Sequence, residues 1–389
     1  MARRAAIIVL DGLGIGPAHD TAAYGDEGSD TLGNVLRTSG GLALPELERL
    51  GLGCCAPLAG VRAISDPQAA FGTAQPASAG KDSITGHWEI CGVVLERPFP
   101  TYPKGFPESV IAEFVRRTGR GVLANKPASG TAVLEEFGEQ HQRTGKWIVY
   151  TSADSVFQVA AHEEVVPLHE LYAACEAARE LLRGEHGVSR VIARPFVGPP
   201  EHYRRTPNRR DFSLEPVGAT LLDHLQAAGI GRVGVGKVDD LFAGRAIHST
   251  HTPTNGDAYR LIREALASMT EGLLFVNVIE FDQTWGHRND VPGFVGGLQE
   301  LDAALPGLLA GVQGDDLIIF TADHGNDPTT PSTDHSRERV PILVYGPRVR
   351  PASLGERATF ADIGQTVAAF LGVEPLAAGT SFLHEVWSG

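Results

Sequence analysis

The stretch FTADHGNDPTTPSTDHSRERVP, residues 320–341, sets Asp323 beside His324 and Asp334 beside His335, right after the apolar run Leu317–Phe320. Carboxylate and imidazole together, without thiolate, are ligands suited to Mn²⁺, Zn²⁺ or a similar ion. Two other apolar runs end in the same way. Leu10 is followed by Asp11, and Ile279 by Glu280 and Asp282, with His287 shortly after. One aspartate after such a run reads as a turn or cap residue. Three, two of them with histidines nearby, read as one shared site. The candidate ligands are Asp11, Asp282, His287, Asp323, His324 and His335. They exceed the protein ligands of one catalytic zinc site. They suit two ions in one cleft, a pair that can clamp a phosphoryl oxygen and activate an attacking one. The intervening GNDPTTPSTD is rich in Gly, Pro and Thr and lets the chain loop out and return His335, while Asp327 and Asp334 read as loop residues.

Strand-like apolar runs must carry these ends: Ala5–Leu10, Trp147–Thr151, Val188–Ala193, Arg232–Val235, Leu273–Ile279, Leu317–Phe320 and Val340–Tyr345. Helical patterns such as PESVIAEFVRRTG, LHELYAACEAARELLRG, VGATLLDHLQAAG, DAYRLIREALASM and FVGGLQELDAALPGLLAG lie between many of them. This alternation predicts an α/β fold with a mostly parallel sheet, whose ligands gather beyond the carboxyl ends of the strands. Two Pro-rich stretches, 96–107 and 194–216, mark an insertion. The expectation is a metal-binding core of 1–97 and 217–389, with a smaller inserted α/β cap at 98–216.

With 389 residues and 42% hydrophobic content the chain is long enough for two domains and a large core. Its formal charge, 33 minus 47 or −14, disfavours nucleic-acid binding. A few Arg and Lys in a pocket still suffice for a small anion. The start, MARRAAIIVLDGLGIG, reads as a first core strand rather than a leader, because its apolar run is short and ends in Asp11. No apolar span of membrane length is evident, and the four cysteines form no CxxC pair, so a cytoplasmic protein with reduced thiols is expected.

In GKDSITGHWE both Ser83 and Thr85 offer a hydroxyl that could attack, and the residues alone do not choose between them. For an anionic substrate, Arg194 in ARPFVG, Arg209 and Arg210 in TPNRRDF, and Lys237 in GVGKVDD are candidate donors. Asp26, Asp30 and Thr31 in GDEGSDTLGN read equally well as pocket residues or as turn and cap residues.

The motifs VLDGLGIG (9–16), GDEGSDTLGN (25–34), ASAGKDSITGHWEICG (77–92), FDQTWGHRND (281–290) and TADHGNDPTTPSTDHSRERVPILVYG (321–346) run from end to end of the chain. By them it resembles the phosphopentomutases of the alkaline phosphatase superfamily. The resemblance implies an alkaline-phosphatase-like core and two Mn²⁺ ions, one on Asp11, Asp323 and His324, the other on Asp282, His287 and His335. It implies Thr85 as the phosphoryl carrier, although this chain has Ser83 where the family usually has Thr. It favours Arg194, Arg209 and Lys237 over Arg210, and adds Asp154, Ser152 and Val156 as substrate contacts. The implied reaction moves phosphate between C1 and C5 of ribose or 2-deoxyribose through a sugar bisphosphate, which also serves as activator. Alternatives that share the metal set are cofactor-independent phosphoglycerate mutase and a metal-dependent phosphatase or sulfatase. A metal-stabilised binding protein is an alternative of another class.

Overall fold

A computed structural model describes residues 3–152 and 155–388. The chain divides into two compact units, Met1–Pro98 with Pro216–Gly389, and Phe99–Glu215.

The first unit is built on an eight-stranded sheet. Its strand order is Ser249–Thr250, Arg232–Val235, Gly272–Val278, Arg4–Leu10, Asp316–Thr321, Val340–Tyr345, Ala70–Ala74 and Ser353–Arg357. Among the described residues only Val340–Tyr345 runs against its neighbours. The central strands Arg4–Leu10, Gly272–Val278 and Asp316–Thr321 are buried throughout. Burial on both faces explains why they read as unbroken apolar runs instead of alternating ones. Arg4–Leu10 sits in the middle, with Leu10 level with Val278 on one side and Val9 level with Thr321 on the other. Four neighbouring parallel strands therefore end along one edge, and the residues following them are Lys237, Asp282, Asp11 and Asp323.

The N-terminal basic residue has a structural use. Arg4 is buried and paired with Asp316, the first residue of the adjacent strand, with Nε 2.8 Å from Oδ1. The pair fixes the register of two central strands at the end opposite the site.

The second unit carries its own sheet, ordered Val122–Pro127, Trp147–Thr151, Val156–His162, Arg190–Val197 and Arg204–Arg205, with Arg210–Ser213 also pairing along Arg190–Val197. Side chains alternate across it. Trp147 and Val149 join a cluster with Phe106, Phe114, Phe157 and Leu171. Ile148 and Tyr150 join another with Leu123, Val133, Leu134 and Phe196.

The expected strands form, several with shifted ends, such as Gly272–Val278 and Arg190–Val197. Strands at Ala70–Ala74, Val122–Pro127, Val156–His162 and Ser353–Arg357 were not expected. The VGATLLDHLQAAG helix is short, Leu221–Ala227, because Thr220 caps it in a reciprocal pair with Asp223. No described helix is long and apolar enough to cross a membrane.

Replacing one member of a buried ion pair strands the other. Arg4→Met is expected to lower the unfolding free energy by about 3 kcal/mol in urea denaturation. A loss below about 1 kcal/mol would show that the pair is not what holds these strand ends.

Candidate active site and metal centre

Every candidate ligand lies in the first unit, at the carboxyl ends of the central strands. Asp11 is fully buried. Its Oδ2 accepts from Asn277 Nδ2 at 3.1 Å and faces Lys237 Nζ at 3.0 Å. Its Oδ1 accepts from the Ser83 hydroxyl at 3.3 Å and lies 3.4 Å from His324 Nε2. Asp282 lies in the π-helical turn Phe281–Trp285 after Gly272–Val278, and its two oxygens each stand 3.3 Å from an imidazole Nε2, of His335 and of His287. Asp323 Oδ1 accepts from the Gly12 backbone N–H at 3.1 Å. The rings of His324 and His335 are 4.1 Å apart between centroids, and those of His287 and His335 4.8 Å.

Two close groups emerge. Asp282, His287 and His335 form one, and Asp11, Asp282 and His324 the other, each with ligand atoms within 4.8 Å of one another. Asp282 belongs to both, and Asp323 Oδ2 stands 3.4 Å from His324 Nε2. Second partners fix the imidazoles. His324 Nδ1 faces the Gly325 carbonyl at 3.0 Å, and His287 Nδ1 the Thr333 carbonyl at 2.7 Å. Each bond leaves Nε2 as the ligand atom. Asn326 Nδ2 donates to Asp282 Oδ1 at 2.7 Å.

Charge in this cluster calls for cations. Burial pushes the Asp11 carboxyl up, yet Lys237 and His324 outweigh burial and the nearby Asp282, holding it well below the usual range. Asp282 is likewise held low despite burial, by His335 and His287 above all. Burial pulls His324 down, but Asp323, Asp11 and Asp282 carry it to about 10. Lys237 is raised against its burial by Asp11 and Asp282. Asp323 Oδ2 is buried and receives no hydrogen bond among the described residues, although His87 Nδ1 stands 3.1 Å away. A buried carboxylate oxygen without a donor is costly unless a cation faces it. Oxygen and imidazole donors, three buried aspartates and this orphaned oxygen fit a pair of divalent ions.

The hydroxyl facing the cluster belongs to Ser83, whereas the resemblance implied Thr85. Ser83 is the first residue of the helix Ser83–Ile90. Its Oγ is 3.0 Å from His324 Nε2 as well as 3.3 Å from Asp11 Oδ1. The Thr85 hydroxyl donates to the cap residue Asp82, at 2.6 Å, and the Thr85 backbone N–H donates to the same carboxylate at 3.1 Å. Two residues apart on a helix, the two side chains point to different sides. Gly86 lets this helix approach the ligands: a Cβ there would lie 2.2 Å from the Asp323 carbonyl oxygen.

The 320–341 loop also braces this helix. Arg337 is buried, pairs with Asp20 at 2.9 Å, and donates to the carbonyls of Pro76, Ser78 and Gly80 ahead of Ser83. Lys81 Nζ joins Asp26, at 2.8 Å, to Asp334, at 3.4 Å. Asp30 caps the helix Thr31–Thr38, and Thr31 Oγ1 donates to Glu338 at 2.7 Å. In these contacts Asp26, Asp30 and Thr31 hold loops and a helix end. Lys237 faces Asp11 as described.

The remaining candidates lie in the second unit. Arg194 is half-buried and donates through Nε to Gln158 Oε1 at 3.0 Å; burial first, then Arg209, pulls its pKa down. Arg209 makes a two-pronged pair with Asp211 at 2.7 and 2.6 Å. Arg205, which sequence reading passed over, joins Arg194 and Arg209 around the buried Tyr150 hydroxyl. Arg210 instead stacks over Phe212 and Tyr172, at 4.8 and 5.5 Å. Ser152 follows the strand Trp147–Thr151, and the buried Val156 opens the next strand. Asp154 lies outside the described residues.

Glu338 gives a pH test. It is buried and accepts from Thr31 N, Thr31 Oγ1, Ser336 Oγ and Gly16 N. Burial outweighs these donors and, with Asp327 nearby, pushes it up to about 7. A carboxyl raised on folding makes the native state bind more protons than the unfolded one. Its contribution to stability is present below about pH 4.5 and is lost as pH rises through about 7. The stability difference between wild type and Glu338→Gln is therefore expected to shift by about 3 kcal/mol against wild type from pH 4.5 to 8, read by urea melts. A difference that does not change with pH would contradict it.

The chain matches the model of the Metalloenzyme superfamily over residues 3–375. It is 53% identical to the phosphopentomutase of Dictyoglomus turgidum, covering 100% of this chain and 99% of that one. It is 51% identical to the phosphopentomutase of Caldanaerobacter subterraneus subsp. tengcongensis, over 99% and 98%. With the phosphopentomutase of Carboxydothermus hydrogenoformans it shares 52% identity over 99% of each. Full-length identity of this order, on a chain whose strand ends gather a carboxylate–histidine cluster, shows that it belongs to the phosphopentomutase family of the metalloenzyme superfamily.

Proposed function

We propose that this chain is an isomerase that interconverts ribose 1-phosphate, or 2-deoxyribose 1-phosphate, with the corresponding 5-phosphate, and that Ser83 carries the phosphoryl group between the two positions. Family membership supports the reaction. The observation that supports the carrier is the Ser83 hydroxyl, 3.0 Å from His324 Nε2 and 3.3 Å from Asp11 Oδ1, while Thr85 is turned onto Asp82.

In this reading Asp11, Asp323 and His324 hold one divalent ion and Asp282, His287 and His335 the other, both typically Mn²⁺. Such ions would neutralise phosphoryl oxygens and favour the ionised serine oxygen. The chain's own residues do the rest. Phosphorylated Ser83 gives its phosphoryl group to the free 5-hydroxyl of the sugar 1-phosphate; the P–O bond to serine breaks as the bond to the sugar oxygen forms, and the hydroxyl proton is released. The 1,5-bisphosphate then presents its C1 phosphate. The serine oxygen takes that group, the C1 oxygen leaves and picks up a proton, and the 5-phosphate departs. No phosphate is gained or lost, so a bisphosphate is the natural activator of an unphosphorylated enzyme. Lys237, at Asp11, adds positive charge beside the transferred group. Arg194 and Arg209 are proposed to take the phosphate not in transfer, with Asp154, Ser152 and Val156 against the sugar; fork-shaped guanidinium suits phosphate. Four cysteines without a disulfide among the described residues support a reducing, cytoplasmic setting.

Phosphorus NMR of ribose 1-phosphate with Mn²⁺-treated protein should show ribose 5-phosphate growing as substrate falls. Chelation should stop the conversion and Mn²⁺ restore it. Growth of inorganic phosphate in step with substrate loss would mean a hydrolase instead. Ser83→Ala should lower kcat by at least about 10³-fold, as loss of a nucleophile does. Thr85→Val should keep kcat within about tenfold, with a stability cost of about 1 kcal/mol for the weakened cap. The opposite ranking would sink the assignment of Ser83.

A further inference from the structure

We propose that Asn277 and His87 form a buried bridge that positions Ser83 against the carboxylates of Asp11 and Asp323. The inference rests on the phosphoserine reading above and extends it to two residues outside the proposed ligand and substrate contacts.

Both side chains are fully buried. Asn277 lies in the strand Gly272–Val278, level with Val9 of the neighbouring strand. Its Nδ2 donates to Asp11 Oδ2 at 3.1 Å and faces His87 Nε2 at 3.3 Å. An amide nitrogen can only donate, so His87 Nε2 accepts and Nδ1 bears the ring proton. Nδ1 in turn lies 2.9 Å from the Ser83 carbonyl oxygen and 3.1 Å from Asp323 Oδ2. His87 sits one turn beyond Ser83 on the same helix. Two side chains thus connect Asp11 by hydrogen bonds to the backbone of Ser83, with the His87 ring also 3.1 Å from Asp323.

A plain core histidine is the competing explanation, since His87 packs on Phe275 with centroids 5.7 Å apart. Packing alone would be served by an apolar residue, without the cost of burying imidazole and amide groups. The bridge instead meets Asp11 at Oδ2, the second oxygen of the carboxylate whose Oδ1 accepts from Ser83, and stands beside Asp323 Oδ2. Its use is to keep three groups from three separate segments in one arrangement. A displacement of about 1 Å at such a site costs about 10²-fold in rate. Partners behind metal ligands typically contribute about 10–100-fold in affinity or activity.

The test compares wild type, His87→Leu and His87→Asn. Asparagine keeps a donor near the Nδ1 position and leucine has none. Mn²⁺ affinity is read by isothermal titration of the metal-stripped protein, circular dichroism checks the fold, and steady-state kinetics follow ribose 1-phosphate conversion. His87→Leu should weaken Mn²⁺ binding about 10–100-fold. It should also lower kcat while KM changes by less than about threefold. His87→Asn should recover most of both losses. Equal losses in two folded variants would assign His87 to packing and overturn the bridge, as would no loss in either. If His87→Leu does not fold, Asn277→Ala carries the same comparison, and unchanged Mn²⁺ affinity there overturns the proposal. A wild type that binds no Mn²⁺ and converts no sugar phosphate would overturn the functional reading and the bridge together. A wild type that does both, with variants that match it, would overturn the bridge alone.

Discussion

Three buried aspartates, Asp11, Asp282 and Asp323, are crowded at the ends of three neighbouring strands, and the rest of the site answers that crowding. Like charges removed from water are unfavourable unless cations or hydrogen-bond donors face them. The chain supplies Lys237, three imidazoles, the amides of Asn277 and Asn326, and the Gly12 backbone N–H. Asp323 Oδ2 still receives no hydrogen bond among the described residues, with His87 Nδ1 only beside it at 3.1 Å. The cluster is therefore built for further positive charge, and the family to which the chain belongs is one of metalloenzymes.

Strand topology makes the crowding possible. Parallel strands beside one another end on one edge, so a residue following each strand meets its counterparts without a long loop. The proposed nucleophile, Ser83, comes from elsewhere, on a helix whose close approach depends on the missing side chain of Gly86. That helix is held from several directions. Arg337 grips the carbonyls before it, Lys81 ties its leading loop to Asp26 and Asp334, and His87 ties its first turn to the carboxylates. The loop that provides His335 also provides Arg337 and Glu338. It braces the helix of Ser83 and also brings His335 to the cluster.

The gathering of the strand-end aspartates was legible because each follows an apolar run that is buried on both faces, and such runs are hard to mistake. His287 and His335 were legible because they stand near those aspartates in sequence. The choice between Ser83 and Thr85 was not. It depends on which side of a helix start faces the cluster, and Asp82 decides that by capping Thr85. A motif carries both hydroxyls equally well. Asn277 was hidden inside an apolar run, and His87 inside a helix where a histidine reads as packing. The strands Ala70–Ala74 and Ser353–Arg357 lack the long β-branched runs that announce a strand, and pairing with Val340–Tyr345 on one side and with each other makes them strands. Arg205 was lost among neighbouring arginines because only the fold decides which of them meet Tyr150.

The central claim is that the hydroxyl turned toward the buried carboxylate–histidine cluster is the one that carries phosphate. It is tested most directly by locating that phosphate. The protein would be incubated with ribose 1,5-bisphosphate and Mn²⁺, quenched and digested, and the peptide containing GKDSITGHWE sequenced by fragmentation mass spectrometry. Phosphate on Ser83 is the predicted result. Phosphate on Thr85 would contradict the account, because the side chain now bonded to Asp82 would have to leave its cap and reach the cluster.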